Sequence, residues 1–219
     1  MTFHATVAAF GIAGALACAT AWADQDPPAP VWVEQAAKSD DHVFSVRLLQ
    51  YEQGDGEYLS AATALRIVDR KSGAVVQQID AINGMEMRTE PQRFVRLVDA
   101  NGDGHPDIEL SYADGGAGPN NTSYYYLYDR KARQYRFHKK LSEMTQVSVN
   151  ADGTITSGSR GGCCQHSSET YRFIRGRLTL LKTWQRTLTP DDMVEVVTGT
   201  LRNGKMRYKT TRQKAPREN

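Results

Sequence analysis

The sequence predicts an all-β fold, with antiparallel strands in a propeller-like or sandwich array. Three observations carry this. Short runs rich in β-branched and aromatic residues recur along most of the chain. Turn chemistry separates many of them. Beyond the first residues, helix signals are weak. Closely spaced strands with few crossovers pair antiparallel. About twelve of them would make a sandwich or a propeller-like set of small sheets.

The first 23 residues stand apart from the rest. "ATVAAFGIAGALACATA" is apolar and uncharged, and Ala21-Trp22-Ala23 fits a small-x-small cleavage site. This is the pattern of a secretory signal peptide, and it places the mature chain in the periplasm or outside the cell. "ALAC", ending at Cys18, offers a rival reading as a lipoprotein signal, although Ala15 stands where such signals usually carry Leu. Residues 24–41 are expected as a Pro-rich lead-in, opened by the extended stretch "DQDPPAP".

The folded domain is expected over residues 42–211. "HVFSVRLLQY", "TALRIVDR" and "AVVQQIDA" open it, the last two joined by the loop Asp69-Arg70-Lys71-Ser72-Gly73. "RFVRLVD" and "DIELSYA" flank an acidic loop, and "SYYYLYDR", "QYRFHK" and "TQVSVN" follow. The turn Asn150-Ala151-Asp152-Gly153 leads into "GTITSG". Arg175-Gly176 joins "ETYRFIR" to "RLTLLKTW", and Asn203-Gly204 joins "MVEVVTGTL" to "KMRYKTT" as a type I′ hairpin. "SEMTQ" and "TPDDM" are expected to form a helical turn each, and residues 212–219 a solvated basic tail. With 219 residues, 40% of them apolar, the chain can build one domain with a core. Its 27 Lys and Arg against 25 Asp and Glu leave a net charge of +2, so the balance does not demand nucleic acid.

Between "LV" and "IEL" stands Asp99-Ala100-Asn101-Gly102-Asp103-Gly104-His105-Pro106-Asp107, which fits D-x-N-x-D-G-x-x-D. Asp99, Asn101 and Asp103 offer side-chain oxygens, His105 a backbone carbonyl, and Asp107 a closing carboxylate. Gly104 permits the sharp turn. Oxygen-only ligation on a tight loop suits hard Ca²⁺. Position 12 is Leu110, in a strand, where a helical EF-hand carries Glu. The cation expected here is structural, tying the strand that ends at Val98 to the strand that begins at Ile108.

Removal of the leader would leave Cys163 and Cys164, adjacent in "GGCCQH". A structural vicinal disulfide is the favoured reading in an oxidising compartment, and a metal or redox centre with His166 is its rival. Two loops suit contact with a partner. In "YADGGAGPNNTSYYYLY" a strand would place Tyr124, Tyr126 and Tyr128 on one face and Tyr125 and Leu127 on the other. In "SGSRGGCCQHSS" Arg160 is the full charge. Tyr124, Tyr126 and Arg160 are therefore the candidate partner contacts. H-E-x-x-H and G-x-S-x-G are absent, and no Gly-rich stretch leads into a helix. The chain reads as a binding protein, not an enzyme.

Taken in order, "VDANGDGHPDIEL", "GGAG", "YYYLYD", "GGCCQHSSETYRF" and "GRLTLL" resemble a family of small secreted bacterial β-proteins with a calcium loop and a propeller-like fold. Its best-known kind is the periplasmic immunity protein that inhibits lysozyme-like effectors of bacteria-killing type IV secretion systems. The resemblance spans residues 44–210, and FG-GAP-type β-proteins share the calcium motif. It implies Ca²⁺ held by Asp99, Asn101, Asp103, the His105 carbonyl and Asp107. It also implies a secreted lysozyme-like hydrolase as partner, blocked by an inserted loop. The S-G-x-x-Y signature of another group of lysozyme inhibitors is not met, because Gly161 stands where Tyr would follow Ser157-Gly158. A calcium-stabilised envelope adaptor or glycan-binding module is the alternative.

Overall fold

The structure, a computed structural model, describes residues 28–54, 57–113, 120–162 and 164–215. The leader and the "GGAG" stretch lie outside the described residues.

Three antiparallel sheets follow one another along the chain, each a meander in which sequence neighbours are spatial neighbours. Sheet 1 holds β1 (Val31–Lys38), β2 (His42–Gly54), β3 (Glu57–Asp69) and β4 (Val75–Ile79). Sheet 2 holds β5 (Val95–Val98), β6 (Asp107–Ala113), β7 (Thr122–Asp129) and β8 (Gln134–Phe137). Sheet 3 holds β9 (Ser148–Val149), β10 (Thr154–Gly161), β11 (Gln165–Ile174), β12 (Arg177–Leu188), β13 (Met193–Arg202) and β14 (Lys205–Lys214). A 3₁₀ turn at Pro91–Arg93 and one helical turn, α1 (Lys139–Ser142), are the helical elements among the described residues. The fold is all-β and sandwich-like, and the described residues form no closed barrel.

The period-2 pattern places the core. Phe44, Val46 and Leu48 of β2 are fully buried and alternate with outward residues. On β3 the register passes from Arg47↔Ala64 to Leu48↔Ala62, leaving Thr63 as an extra residue. The Thr63 hydroxyl donates to the Arg47 carbonyl and accepts from Arg47 Nε, both at 3.0 Å. The bulge keeps Ala62 on the same inward face as Leu65 and Ile67. Sheet 2 closes over this face with Val95, Ile108, Leu110, Tyr126 and Tyr135. A second core lies on the other side of sheet 2, where Tyr125, Leu141 and Met144 meet Ile155 and Tyr171 of sheet 3. β7 is therefore a shared wall, with Tyr126 facing one core and Tyr125 the other, as the alternation predicted.

Both predicted hairpin turns are present. Arg175 and Gly176 take φ of 51° and 73°, and Asn203 and Gly204 take 49° and 74°, the positive pair that a type I′ turn needs. Four expectations need correction. β1 lies inside the stretch read as a lead-in, because Gln35 is buried and tied to the sheet 2 side. Its Oε1 accepts from the N–H groups of Phe94 (2.8 Å) and Val95 (3.2 Å), while Nε2 donates to the carbonyls of Val33 and Pro91. "TPDDM" forms the β12–β13 hairpin turn and no helix, with Asp192 N–H donating to the Thr189 carbonyl. The helical turn near "SEMTQ" sits earlier, over Lys139–Ser142, because His138 caps it by accepting the Leu141 N–H at Nδ1. β14 continues to Lys214, so the basic tail begins later than residue 212.

Candidate functional site

The acidic loop joins β5 to β6 and is folded by its own side chains. Gly102 and Gly104 adopt φ of 72° and 81°, which residues with a Cβ rarely take. Asp99 accepts from the N–H groups of Asp103 (3.0 Å) and Gly104 (2.9 Å), one on each carboxylate oxygen. Asn101 Oδ1 also accepts from Asp103 N–H (2.9 Å), and Asp103 Oδ1 accepts from His105 N–H (2.9 Å). Asn101 Nδ2 donates to the second Asp103 oxygen at 3.0 Å. These are nested Asx turns, and they place Asp99, Asn101 and Asp103 on one short exposed arc.

Asp107 differs. It is fully buried, and its two oxygens accept from Ala100 N–H (3.0 Å) and Tyr128 N–H (2.8 Å). Burial pushes its carboxyl up to about 6 against the pull of those two donors. The residue expected to close a cation shell is thus an anchor, binding the loop to the end of β7. The His105 ring lies 5.8 Å from that of Tyr128, which lies 5.0 Å from that of Tyr135 in the first core. Among the described residues, no three His, Cys, Asp or Glu side chains form a group that could hold a metal ion. The donor chemistry of Asp99, Asn101, Asp103 and the His105 carbonyl is oxygen-only, as a hard cation requires.

The two predicted contact loops meet. Asn120 Nδ2 donates to the Arg160 carbonyl (2.9 Å), and Arg160 N–H donates to Asn120 Oδ1 (3.0 Å). Gln146 Nε2 donates to the same Asn120 oxygen at 3.0 Å, and Gln146 N–H donates to the Asn121 carbonyl. The backbone at the β10 tip is thereby clamped to the start of β7. Beside it opens a polar cleft of about 280 Å³, lined by Ser159, Arg160, Gln165, His166 and Gln185 among others. The clamp was not legible in the sequence. A side-chain amide bonded to backbone 40 residues away leaves no local pattern.

The tyrosines divide. Tyr124 is half-buried, stacked on Tyr112 (centroids 4.4 Å apart) and edge-on to Phe137 (5.5 Å), and burial pushes its hydroxyl up to about 12. Tyr126 is only 5% exposed and belongs to the first core, so its ring is not at the surface. This corrects its reading as a contact residue. Both side chains follow from the same alternation, and neighbouring strands cover Tyr126 more fully. Arg160 is exposed. Cys164 is disulfide-bonded. Cys163 lies outside the described residues, so the vicinal pairing stays an expectation. No helix among the described residues is long and apolar enough to cross a membrane.

Fold and site together define an all-β chain of three successive meanders, with an acidic loop between the first two strands of the second. No family model matches its sequence, and no curated protein matches it. A solved structure described as a Xanthomonas type IV secretion system related protein shares the fold, with a TM-score of 0.58 and 19% identity. The match covers 84% of this chain and 99% of that one.

Proposed function

We propose that this chain is an exported, calcium-stabilised binding protein that inhibits a lysozyme-like peptidoglycan hydrolase, acting by loop insertion and turning over no substrate. The observation that carries the reading is the clamp of Asn120 on the Arg160 backbone. A tip held by paired hydrogen bonds loses little entropy when it enters a cleft. Glycosidase clefts carry a carboxylate pair, to which an exposed guanidinium is complementary. Ca²⁺ held by Asp99, Asn101, Asp103 and the His105 carbonyl would brace sheet 2 beside it, and the three meanders form a propeller-like array. The fold is shared with a protein described as related to a type IV secretion system, and we assign this chain to the same setting.

The test is turbidity clearance of peptidoglycan by a panel of lysozyme-type hydrolases, in calcium, with and without residues 24–219. Slower clearance by at least one member is expected, with the effect reduced by Arg160→Glu. Identical rates across the panel would count against inhibition. The polar cleft beside Arg160 favours a second reading, an envelope adaptor or glycan-binding module, and recovery of glycan fragments without a hydrolase would select it.

A further inference from the structure

The outer face of sheet 3 carries a feature that hydrolase inhibition does not use. Tyr171 pairs with Leu180, and both pack against the second core. Thr170 and Lys182, the next pair, point to the opposite side. From there the register sets three cross-strand rows on that side: Lys182↔Thr200↔Arg207, Trp184↔Thr198↔Lys209 and Arg186↔Val196↔Thr211. Lys205, paired with Arg202 at the hairpin end, extends the basic row of β14. With residues i and i+2 roughly 7 Å apart and strands roughly 4.8 Å apart, β12 to β14 hold the three rows in a patch of roughly 14 by 10 Å, with Lys205 one step beyond it.

No Asp or Glu stands on this side of β10–β14 among the described residues. Glu169 and Glu195 take the other side, where Arg212 pairs with Asp191. The patch is therefore a strong local asymmetry in a chain whose net charge is only +2. Trp184 sits at its middle, 38% exposed, between Lys182 and Arg186 along β12.

We propose that this face binds a linear anionic glycan, with the Trp184 ring as a platform for a sugar and the surrounding cations as contacts for its acidic groups. The distribution of chemistry selects the ligand. The core of a protein–protein interface is depleted of charge, whereas here Lys182 and Arg186 flank the central Trp184 on its own strand. A single-stranded nucleic acid stacks successive bases on several aromatic side chains, whereas here one ring is offered. The C–H face of a pyranose packs on an indole through dispersion, and the threonine hydroxyls of β13 and β14 donate to or accept from sugar hydroxyls. His166 and Arg160 continue the Arg186 row across β11 and β10 on the same side, so the patch adjoins the tip proposed to enter a hydrolase. The positions substituted below lie on β12 and β14, outside the Asn120–Arg160 clamp, and failure of inhibition is thereby distinguishable from failure of glycan binding.

The experiment measures binding of residues 24–219 to polygalacturonate, to the same polymer fully methyl-esterified, and to oligo(dT), across a salt series. Polygalacturonate is expected to bind at low salt and to weaken as salt rises. Esterification, which removes the charge and keeps the sugar, is expected to abolish binding. Trp184→Ala should weaken it roughly tenfold while Trp184→Tyr retains it. The double variant Arg207→Glu, Lys209→Glu should eliminate it, and Arg212→Ala, on the opposite face, should leave it unchanged. All of these positions are exposed, and far-UV circular dichroism verifies each fold. Equal affinity for the esterified polymer, indifference to Trp184→Ala, or equal or tighter binding of oligo(dT) would each overturn the proposal.

Discussion

Replacing Asp107 with Ala isolates the anchor from the cation. The side chain is fully buried and its two oxygens satisfy two backbone donors, on Ala100 and Tyr128. Alanine would leave both N–H groups without a partner, at about 1–3 kcal/mol each, or about 2–6 kcal/mol together. Part of that is offset, because the variant no longer buries a carboxylate whose pKa has been pushed up to about 6. The expectation is therefore in the lower half, about 2–4 kcal/mol, a large fraction of a total stability of about 5–15 kcal/mol. Asp107→Asn keeps one acceptor oxygen and turns an NH₂ toward the other donor, so about half the loss is expected. Urea unfolding with linear extrapolation measures both variants, in calcium and in chelator. Because the bonds run to backbone N–H groups, the loss should persist in chelator. A loss below about 1 kcal/mol, or one seen only in calcium, would refute the anchor and return Asp107 to the role of a cation ligand.

Three further outcomes are expected. Calcium should raise the melting temperature and chelation lower it, and Asp103→Ala should abolish that shift, since Asp103 is exposed and contributes to the loop arc rather than to the core. At Gly84 a methyl group would stand 2.8 Å from the backbone N and O of Ala62, so Gly84→Ala should destabilise by about 1–3 kcal/mol in the same urea assay. Burial holds the pKa of His138, and likewise of His42, below the ordinary value, with the Lys140 charge adding to the effect at His138. The unfolded chain then binds these protons more readily, so stability is fully present above the ordinary histidine pKa and is lost as pH falls through it. His138→Asn, which keeps a capping acceptor, should reduce that acid loss in a pH series of melting temperatures, leaving the share due to His42.

Much of the fold was legible because its signals are local. Alternation in "SYYYLYD" assigned Tyr125 and Tyr126 to opposite faces, and Asn203-Gly204 named its own turn type. The acidic loop was likewise readable, since Asp99, Asn101 and Asp103 each bond to N–H groups within a few residues. What escaped was settled by distant partners. "VWVEQAAK" looked like part of a lead-in because its buried residue is Gln35, a polar side chain whose partners lie near residue 94. Tyr126 looked like a contact residue because burial depends on which sheets cover a strand, not on the strand itself. The Asn120–Arg160 clamp joins a side-chain amide to backbone 40 residues away, and the cation rows of sheet 3 depend on cross-strand register. That register cannot be read from one strand alone.

The position of Asp107 explains why an ion in a surface loop would matter to the whole chain. Its carboxylate holds Tyr128 N–H, at the end of β7. Alternate side chains of β7 line both cores, Tyr126 on the sheet 1 side and Tyr125 on the sheet 3 side. Asn120, two residues before the first residue of β7, clamps the β10 tip. A strand fixed at one end by Asp107 and at the other by Asn120 has little freedom to slide, because a one-residue slip would exchange the two tyrosine faces. Cation binding at Asp99 to His105 would hold the loop that presents Asp107, and so lower the population of conformers in which β7 is loose. The ion would then act on the Arg160 tip without touching it, through a single strand pinned at both ends.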